Sequence, residues 1–259
     1  MTRQKDDKSH VNKGLLILST FDESSPMQRT TDIASKLGMN MSTVSRHLNS
    51  LLDLGFLSRD DATGQYYLGL EVISLAGAAL HNSVLYRYAY PELQKMSFQH
   101  EVHCHMSVQR DADIVHIIST SCEKNMELLI PMGHRHPVYC SAMGRAILAF
   151  QTENEIDRVL KKSNLKKYTS ETKAERTAIM QALKRTKELG YSIVVDELDM
   201  GVGSIAAPIF ERRRKPVGAI SVSASTYRIQ DVASDRNSLV KAVVSTAGRI
   251  SAKLGYYPK

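Results

Sequence analysis

The 259-residue chain lacks several features that would place it outside the cell or in a membrane. No apolar run approaches the roughly 18 residues that a membrane-spanning helix needs. The first ten residues, MTRQKDDKSH, are polar and of mixed charge, so they contain no apolar core of a signal peptide. Only three cysteines occur, without a CxxC pair, which is typical of free thiols in a reducing compartment. We therefore expect a cytoplasmic protein without a membrane partner.

The amino-terminal part of the chain lacks the positive charge that the whole chain carries. The formal net charge is +7 at pH 7, which would suit a polyanionic partner. Residues 1 to 70 nevertheless hold eight basic and eight acidic residues, so the surplus lies beyond residue 70. Net charge is therefore weak evidence for nucleic-acid binding, and the arrangement of individual residues has to decide.

Two short helices are predicted near the amino terminus. The first covers residues 12–22, NKGLLILSTFD, and its predicted inward side chains are Leu15, Leu16, Leu18 and Phe21. The loop ESSPMQ separates it from TTDIASKLG, in which Thr30 or Thr31 can cap the start of a helix and Gly38 can end it.

A third helix is predicted between Asn40 and Gly55. Its apolar residues recur at helical spacing along one face, and they are Val44, Leu48, Leu51 and Leu52. Asn40 can cap this helix, and only GMN separates it from the second one, which predicts a helix-turn-helix. The strand-like runs FLSRD and QYYLG flank the turn DATG, so a β-hairpin completes a winged helix-turn-helix.

The polar face of the third helix carries short hydroxyl and amide side chains, whereas most solvated helices carry Glu and Lys. Short donors near a helix N-terminus can meet phosphates and base edges in the DNA major groove. Arg46 can bind guanine or a phosphate, and Asn49 can read adenine. The alternative is a face that is merely solvated. The predicted DNA-contacting residues are Thr30, Thr31, Asn40, Met41, Ser42, Thr43, Ser45, Arg46, Asn49 and Arg59.

The remaining residues predict a linker and a second domain. Residues 71–90 predict a linker helix, and Pro91 is expected in the first turn of a new helix. Residues 91–259 mix strand-like runs such as HCHMSVQ, IVHIIST, NMELLIPM, GSIAAPIF and VGAISVSA with amphipathic helical runs. This pattern predicts an α+β domain with a mostly antiparallel sheet. The expected division is therefore 1–70, 71–90 and 91–259.

Several motifs together resemble the IclR family of bacterial transcriptional regulators over nearly the whole chain. The amino-terminal match runs from KGLLILSTF through IASKLGMNMSTVSRHLNSLLDLGFLSRDDATGQYYLG. The carboxyl-terminal match rests on HPVYCSAMGRAILAF, ELGYSIVVDELDMGVGSIAAPIF and VGAISVSA. The resemblance implies a winged-helix DNA-binding domain, a linker helix used in dimerisation and a GAF-like effector domain. It also implies a homodimer or homotetramer on palindromic operators, with a small carboxylate as effector.

The resemblance also implies the residues of an effector pocket, which are Leu128, His136, Ser141, Ala142, Met143, Val202, Ser204, Ser221 and Ser223. Serine hydroxyls and a helix start at Ser141 suit a carboxylate. The chain departs from the family where Tyr139 and Ser204 replace His and Cys, and where Val194 and Val195 replace an acidic pair. The valines favour a larger, partly apolar acid.

Three alternatives compete with an acid-responsive regulator. His103 and His105 would share one face of a strand and could bind a metal ion if His134, His136 or Cys140 joined them. A GAF-like domain could host thiol redox chemistry, with Cys140 or Cys122 as nucleophile and a pKa lowered by the helix start after Cys140. The winged helix could also bind protein instead of DNA.

The sequence favours a DNA-binding regulator of a catabolic operon over these alternatives. We expect no enzymatic activity, no cofactor and no metal. The effector is expected to be a small organic acid of aromatic or sugar type.

Overall fold

The computed structural model describes residues 10–121, 130–231 and 235–257 of the chain, apart from the side chains of residues 235 and 236. The chain divides into two compact units, Met1–Asn82 and Ser83–Lys259. Each unit has its own hydrophobic core.

The first unit is a winged helix-turn-helix followed by one more helix. Its elements are α1 (His10–Leu18), α2 (Thr30–Leu37), α3 (Met41–Asp53), β1 (Leu57–Arg59), β2 (Tyr66–Leu68) and α4 (Leu70–His81). Its core is built around Ile17, Ile33, Val44, Leu48 and Leu57, all of them almost fully buried. These side chains come from all three helices of the winged fold and from the wing, so the helix-turn-helix and the hairpin share one core.

Two details of the predicted helices were wrong. Helix α1 ends at Leu18 and not at residue 22, and it buries Ile17 completely, whereas Leu15 and Leu16 are exposed. The predicted inward side chains Leu18 and Phe21 do contribute to the core. Helix α2 begins at Thr30 with Arg29 as its N-cap residue, so neither threonine caps it. The carboxylate of Asp32 instead accepts a hydrogen bond from the backbone N–H of Arg29 at 2.8 Å.

The end of α3 and the wing are held together by a close backbone approach. Strands β1 and β2 pair antiparallel, with Leu57 opposite Leu68. The N–H of Gly69 donates to the carbonyl of Phe56 at 2.8 Å. A Cβ at Gly69 would lie 2.1 Å from the carbonyl oxygen of Gly55, so only glycine fits at this position.

The second unit is an α+β domain whose described residues form a six-stranded sheet with helices packed on it. Its helices are α5 (Val84–His100), α6 (Ala142–Leu148), α7 (Glu153–Lys162), α8 (Arg176–Leu189), α9 (Thr226–Gln230) and α10 (Asp235–Lys253). Its strands are β3 (His103–Arg110), β4 (Asp113–Thr120), β5 (Arg135–Pro137), β6 (Ser192–Val195), β7 (Val202–Phe210) and β8 (Pro216–Ser225). The sheet order is β5-β4-β3-β8-β7-β6, and every neighbouring pair is antiparallel.

Helices cover both faces of this sheet. One face packs on α5 and α10 through a cluster that includes Met96, Met106, Val222 and Val243. The other face packs on α6, α7 and α8 through a cluster that includes Ile147, Val159 and Ala219. Successive residues of a strand therefore point into different layers.

Helix positions differ from the prediction after residue 70. The segment predicted as one connecting helix forms two helices, α4 and α5. The hydroxyl of Ser83 caps α5 by accepting a hydrogen bond from the N–H of Tyr86 at 3.2 Å. Pro91 lies inside α5 and not in its first turn. Most of the predicted strand NMELLIPM lies outside the described residues. The short elements β5 and α9 were not predicted.

Among the described residues, no helix combines the length and the apolar character that crossing a bilayer requires.

Candidate DNA-contacting surface and effector site

The polar side of α3 is exposed along the amino-terminal half of the helix. Ser42, Ser45, Arg46 and Asn49 are all exposed, and Met41 keeps 46% of its surface accessible. The opposite side buries Val44, His47 and Leu48 in the core of the first unit. This division presents short donors and one guanidinium to a partner, with no burial of Ser45 or Arg46 in the protein interior.

The start of α3 is fixed by its cap. The side-chain oxygen of Asn40 accepts a hydrogen bond from the N–H of Thr43 at 2.8 Å and another from the hydroxyl of Ser42 at 3.2 Å. Asn40 therefore caps the first turn, and its side-chain oxygen already accepts these two hydrogen bonds. Ser45 and Asn49 lie after the first turn, and their side chains are exposed.

The other predicted DNA-contacting residues lie on α2 and on the wing. Thr30 is half-buried and Thr31 exposed in the first turn of α2. Arg59 is exposed on β1, and its guanidinium lies 5.5 Å from the centre of the Tyr66 ring. That cation–π contact orients the arginine on the wing.

The sheet face toward α6 carries an unusual number of polar side chains, arranged in rows across the strands. Strand pairing places Ser119, His105, Ser221, Ala206 and Ser192 in a first row. It places His103, Ser223, Ser204 and Val194 in a second row. It places His116, Ser107, Ala219 and Pro208 in a third row. Neighbours within a row are separated by about 5 Å between Cα atoms.

Three of the predicted effector residues meet in the first two rows. The hydroxyl oxygens of Ser204 and Ser223 lie 2.8 Å apart. Ser221 lies two residues before Ser223 on the same strand, β8. Ser221 and Ser223 are 2% and 5% exposed, which is unusual for serines. Val194 lies beside Ser204 in the same row, whereas Val195 packs in the cluster on the opposite face. Only one residue of the valine pair can therefore affect this site.

The start of α6 is built more rigidly than the prediction assumed. The hydroxyl of Ser141 donates to the carbonyl of Pro137 at 2.8 Å and accepts from the N–H of Gly144 at 3.2 Å. Ser141 is therefore the N-cap of α6, and its hydroxyl hydrogen is engaged by Pro137. Its role as a donor to a carboxylate stays a prediction. Ala142 and Met143 are buried in the cluster on the α6 side of the sheet.

The remaining predicted pocket residues are more dispersed. Val202 is half-buried at the start of β7, and His136 lies on β5, opposite Ile114 of β4. Leu128 lies outside the described residues. Val202 is two residues before Ser204 on β7, and the assignment of these residues to the effector pocket stays a prediction.

Histidines form a second polar group on the same sheet face, which the sequence suggested only in part. The Nε2 atom of His116 lies 3.1 Å from Nδ1 of His136, and Nε2 of His136 lies 3.0 Å from Nε2 of His134. The Nδ1 atom of His105 lies 2.9 Å from the hydroxyl of Ser119. His103 and His105 share a strand face as expected, but no metal-binding group of three or more His, Cys, Asp or Glu side chains occurs among the described residues.

A buried ion pair connects α6 with the segment after β6, and the sequence analysis missed it. Arg145 donates from Nη1 and Nη2 to the two carboxylate oxygens of Glu197, each at 2.6 Å, and from Nε to the carbonyl of Tyr139 at 2.7 Å. Lys173 adds contacts to Glu197 from its backbone N–H at 3.0 Å and from Nζ at 2.7 Å. This network fixes the position of α6 above the sheet.

Cys140 does not have the environment of a redox nucleophile. It is fully buried, and burial raises the pKa of its thiol to about 12, although Arg145 acts in the opposite direction. The expected lowering of this pKa by the helix start was wrong because desolvation dominates. The other candidate nucleophile, Cys122, lies outside the described residues.

Comparisons with known proteins agree with this architecture. The family profile of the IclR helix-turn-helix domain matches residues 11–61, and that of the bacterial transcriptional regulator IclR C-terminal domain matches residues 77–252. The HTH-type transcriptional regulator KdgR of Escherichia coli is 28% identical over 99% of this chain and 97% of its own length.

Two solved structures show the same fold. The crystal structure of an IclR transcriptional regulator from Alicyclobacillus acidocaldarius is 28% identical, with a TM-score of 0.86 over 95% of this chain and 98% of that one. An IclR homolog from Microbacterium hydrocarbonoxydans, complexed with 4-hydroxybenzoate, is 22% identical, with a TM-score of 0.81 over 95% of this chain and 99% of that one. The matches cover both units, and the relatives are regulators and not enzymes. This chain belongs to the IclR family of bacterial transcriptional regulators.

Proposed function

We propose that this protein binds a palindromic operator of a catabolic operon as a homodimer or homotetramer, and that a small carboxylate effector controls this binding from the second unit. The observation that carries the proposal is the exposed polar half of α3, with Ser42, Ser45, Arg46 and Asn49 on one side. Such a regulator acts in the cytoplasm, where its operator is.

Major-groove binding by α3 fits the chemistry of these side chains. The groove is about 12 Å wide and accepts one helix, which presents its amino-terminal residues to base edges. The guanidinium of Arg46 suits the O6 and N7 atoms of guanine, and the amide of Asn49 suits adenine. Arg59, held over the Tyr66 ring, suits a phosphate beside the wing. The exposed Thr31 suits a phosphate contact from α2.

Dimerisation through α4 would explain why this helix buries none of its residues in its own unit. Leu70 and Ile73 are 77% and 68% exposed. Together with Gly77 and Leu80 they follow the spacing of a coiled-coil seam, and Gly77 would let two helices approach closely. A two-fold pair of α4 helices would place two copies of α3 on the two halves of a palindrome.

The serine pair is the proposed position of the effector carboxylate. Ser204 and Ser223 lie within hydrogen-bonding distance of each other and can turn their hydroxyl hydrogens toward an anion. Ser221, Met143 and Val194 would surround the rest of the acid. The bound acid of the Microbacterium homolog, 4-hydroxybenzoate, is a small carboxylate of the kind proposed.

Selection of bound fragments from the genomic DNA of the host bacterium tests this function directly. The full chain should retain a small set of fragments with palindromic sites, with affinity that falls steeply as salt rises. Arg46→Ala should weaken operator binding by about 1–3 kcal/mol, because it removes a base contact. Arg185→Ala, which removes an exposed arginine of α8, is the matched control and should bind normally. An unchanged footprint for Arg46→Ala would refute the placement of α3.

A further inference from the structure

Several buried polar atoms on the α6 side of the sheet have no hydrogen-bond partner among the described residues, and three of them are neighbours on β3 and β4. These three are Nε2 of His105, Nδ1 of His116 and the hydroxyl of Ser107. All three residues are 0% exposed. Leaving such a group unpaired destabilises the folded protein, so three neighbouring ones point to a ligand that pairs with them.

The three atoms lie beside one another and beside the proposed acid site. His105 and Ser107 alternate on the same face of β3, and Ser107 is opposite His116 on β4. His105 is also opposite Ser221 on β8. The orphaned atoms therefore continue the polar surface of Ser204, Ser221 and Ser223 toward β4.

Contacts at the other ring nitrogens hold both imidazoles in place. Nδ1 of His105 is engaged by Ser119 at 2.9 Å, and Nε2 of His116 by His136 at 3.1 Å. The ring planes of His105 and His116 are nearly perpendicular, with centres 5.7 Å apart. Each ring thus has one nitrogen held and one available, which is the arrangement of a preorganised hydrogen-bonding site.

We propose that His105 and His116 form a second part of the effector site, which binds hydroxyl or carbonyl groups at the end of the acid remote from its carboxylate. This inference rests on the proposed acid-binding function and adds its specificity. Neighbouring rows of the sheet are about 7 Å apart along the strands, which is close to the length of a six-carbon acid. A carboxylate at Ser204 and Ser223 would thus place a terminal hydroxyl near His105.

The two imidazoles would act as neutral partners. Burial is the main cause that lowers the pKa of His105 to about 3 and that of His116 to about 2, and the neighbouring histidines add to the effect. A neutral imidazole offers one donor or one acceptor, which suits an alcohol or a ketone. It does not offset the burial of a second carboxylate, so the site should discriminate against dicarboxylates.

Calorimetry on the full chain with three six-carbon acids tests the inference. Hexanoate, 6-hydroxyhexanoate and adipate differ only in their distal group. The parent protein should bind 6-hydroxyhexanoate about three- to tenfold more tightly than hexanoate, and adipate should be the weakest of the three. His105→Phe and His116→Phe should bring the ratio for the first two acids close to one, whereas His105→Gln should retain part of it.

Because the ratio compares two acids on the same variant, it is insensitive to a general loss of stability. Ser223→Ala should weaken both monocarboxylates equally and leave the ratio unchanged. Equal binding of hexanoate and 6-hydroxyhexanoate by the parent, tightest binding of adipate, or an unchanged ratio in the phenylalanine variants would overturn the inference alone. If the parent binds none of the acids, the proposed acid-binding function fails with it.

Discussion

Arg145 and Glu197 form a bidentate ion pair in which both side chains are almost completely buried, at 2% and 1% exposure. They lie 52 residues apart in the chain. Arg145 belongs to α6, and Glu197 follows β6, so the pair joins a helix to the strand edge of the same unit. The backbone of Ala142 and Met143 at the start of α6 is positioned by this contact.

Removal of Arg145 should therefore destabilise the second unit strongly. Arg145→Ala leaves the Glu197 carboxylate buried with only Lys173 as a charged partner, and breaking a buried pair in this way typically costs about 3–5 kcal/mol. Urea denaturation followed by circular dichroism measures the free energy of unfolding.

The exposed pair between Lys162 and Asp111, at 3.0 Å, provides the matched control. Lys162→Ala should leave the free energy of unfolding nearly unchanged because solvent screens that pair. Equal losses for the two variants would show that the buried pair contributes nothing beyond a surface contact.

Stability should fall in mild acid because of His105 and His116. Both are neutral when folded, with pKa values of about 3 and about 2, whereas an unfolded histidine titrates near 6.5. Below pH 6.5 the unfolded chain binds protons at these positions that the folded chain does not. The favourable contribution is complete above pH 6.5 and decreases as pH falls, by about 1.4 kcal/mol per histidine per pH unit.

Urea titrations at pH 7.0, 6.0 and 5.0 measure this dependence, with the double variant His105→Gln/His116→Gln as reference. The variant should show a clearly shallower decrease than the parent, since its remaining groups, including His103, His134 and His136, are unchanged. Parallel curves would mean that the two imidazoles are protonated in the folded protein.

Asn40 should contribute to stability through its cap, and not only to DNA binding. Asn40→Ala removes the acceptor for the Thr43 N–H and should cost about 1 kcal/mol, whereas Asn40→Ser should retain most of the cap. Amide hydrogen exchange at Thr43 and Val44, measured on the full chain, reports the loss of protection. Identical exchange in Asn40→Ala and the parent would contradict the role of the cap.

A charge on the seam of α4 should dissociate the proposed dimer. Ile73→Glu places a carboxylate where two helices would meet, so sedimentation should show a smaller species and operator affinity should fall at least tenfold. Ala78→Glu adds the same charge to the same helix away from the seam and is the control. An unchanged oligomer in Ile73→Glu would assign dimerisation to another surface.

Local signals predicted the winged helix well, because each of its elements has its own signature. The cap at Asn40, the apolar spacing of Val44 and Leu48 and the turn before Gln65 all act over a few residues. The prediction for α1 placed Leu15 and Leu16 inward in place of Ile17, because all of these neighbours are apolar and such a run does not fix the phase of a helix.

The site of the second unit depends on strand register, which short-range patterns do not determine. Nothing within β3 or β4 indicates that His105 faces Ser119 or that Ser107 faces His116, because a bulge between Met106 and Ser107 sets that pairing. The pairing of Arg145 with Glu197 likewise arises only when segments 52 residues apart in the chain meet. The proposal that Ser204, Ser221 and Ser223 bind an effector comes from the family resemblance and not from their spacing.

Alternate residues of β8 face the two different layers of the second unit. Ile220, Val222 and Ala224 stabilise the layer under α5 and α10, while Ser221 and Ser223 face the opposite layer. Under the proposed function, a substitution at Ser221 or Ser223 should alter effector preference while Ile220, Val222 and Ala224 keep the domain folded. Ligand preference and stability would then be separable along a single strand.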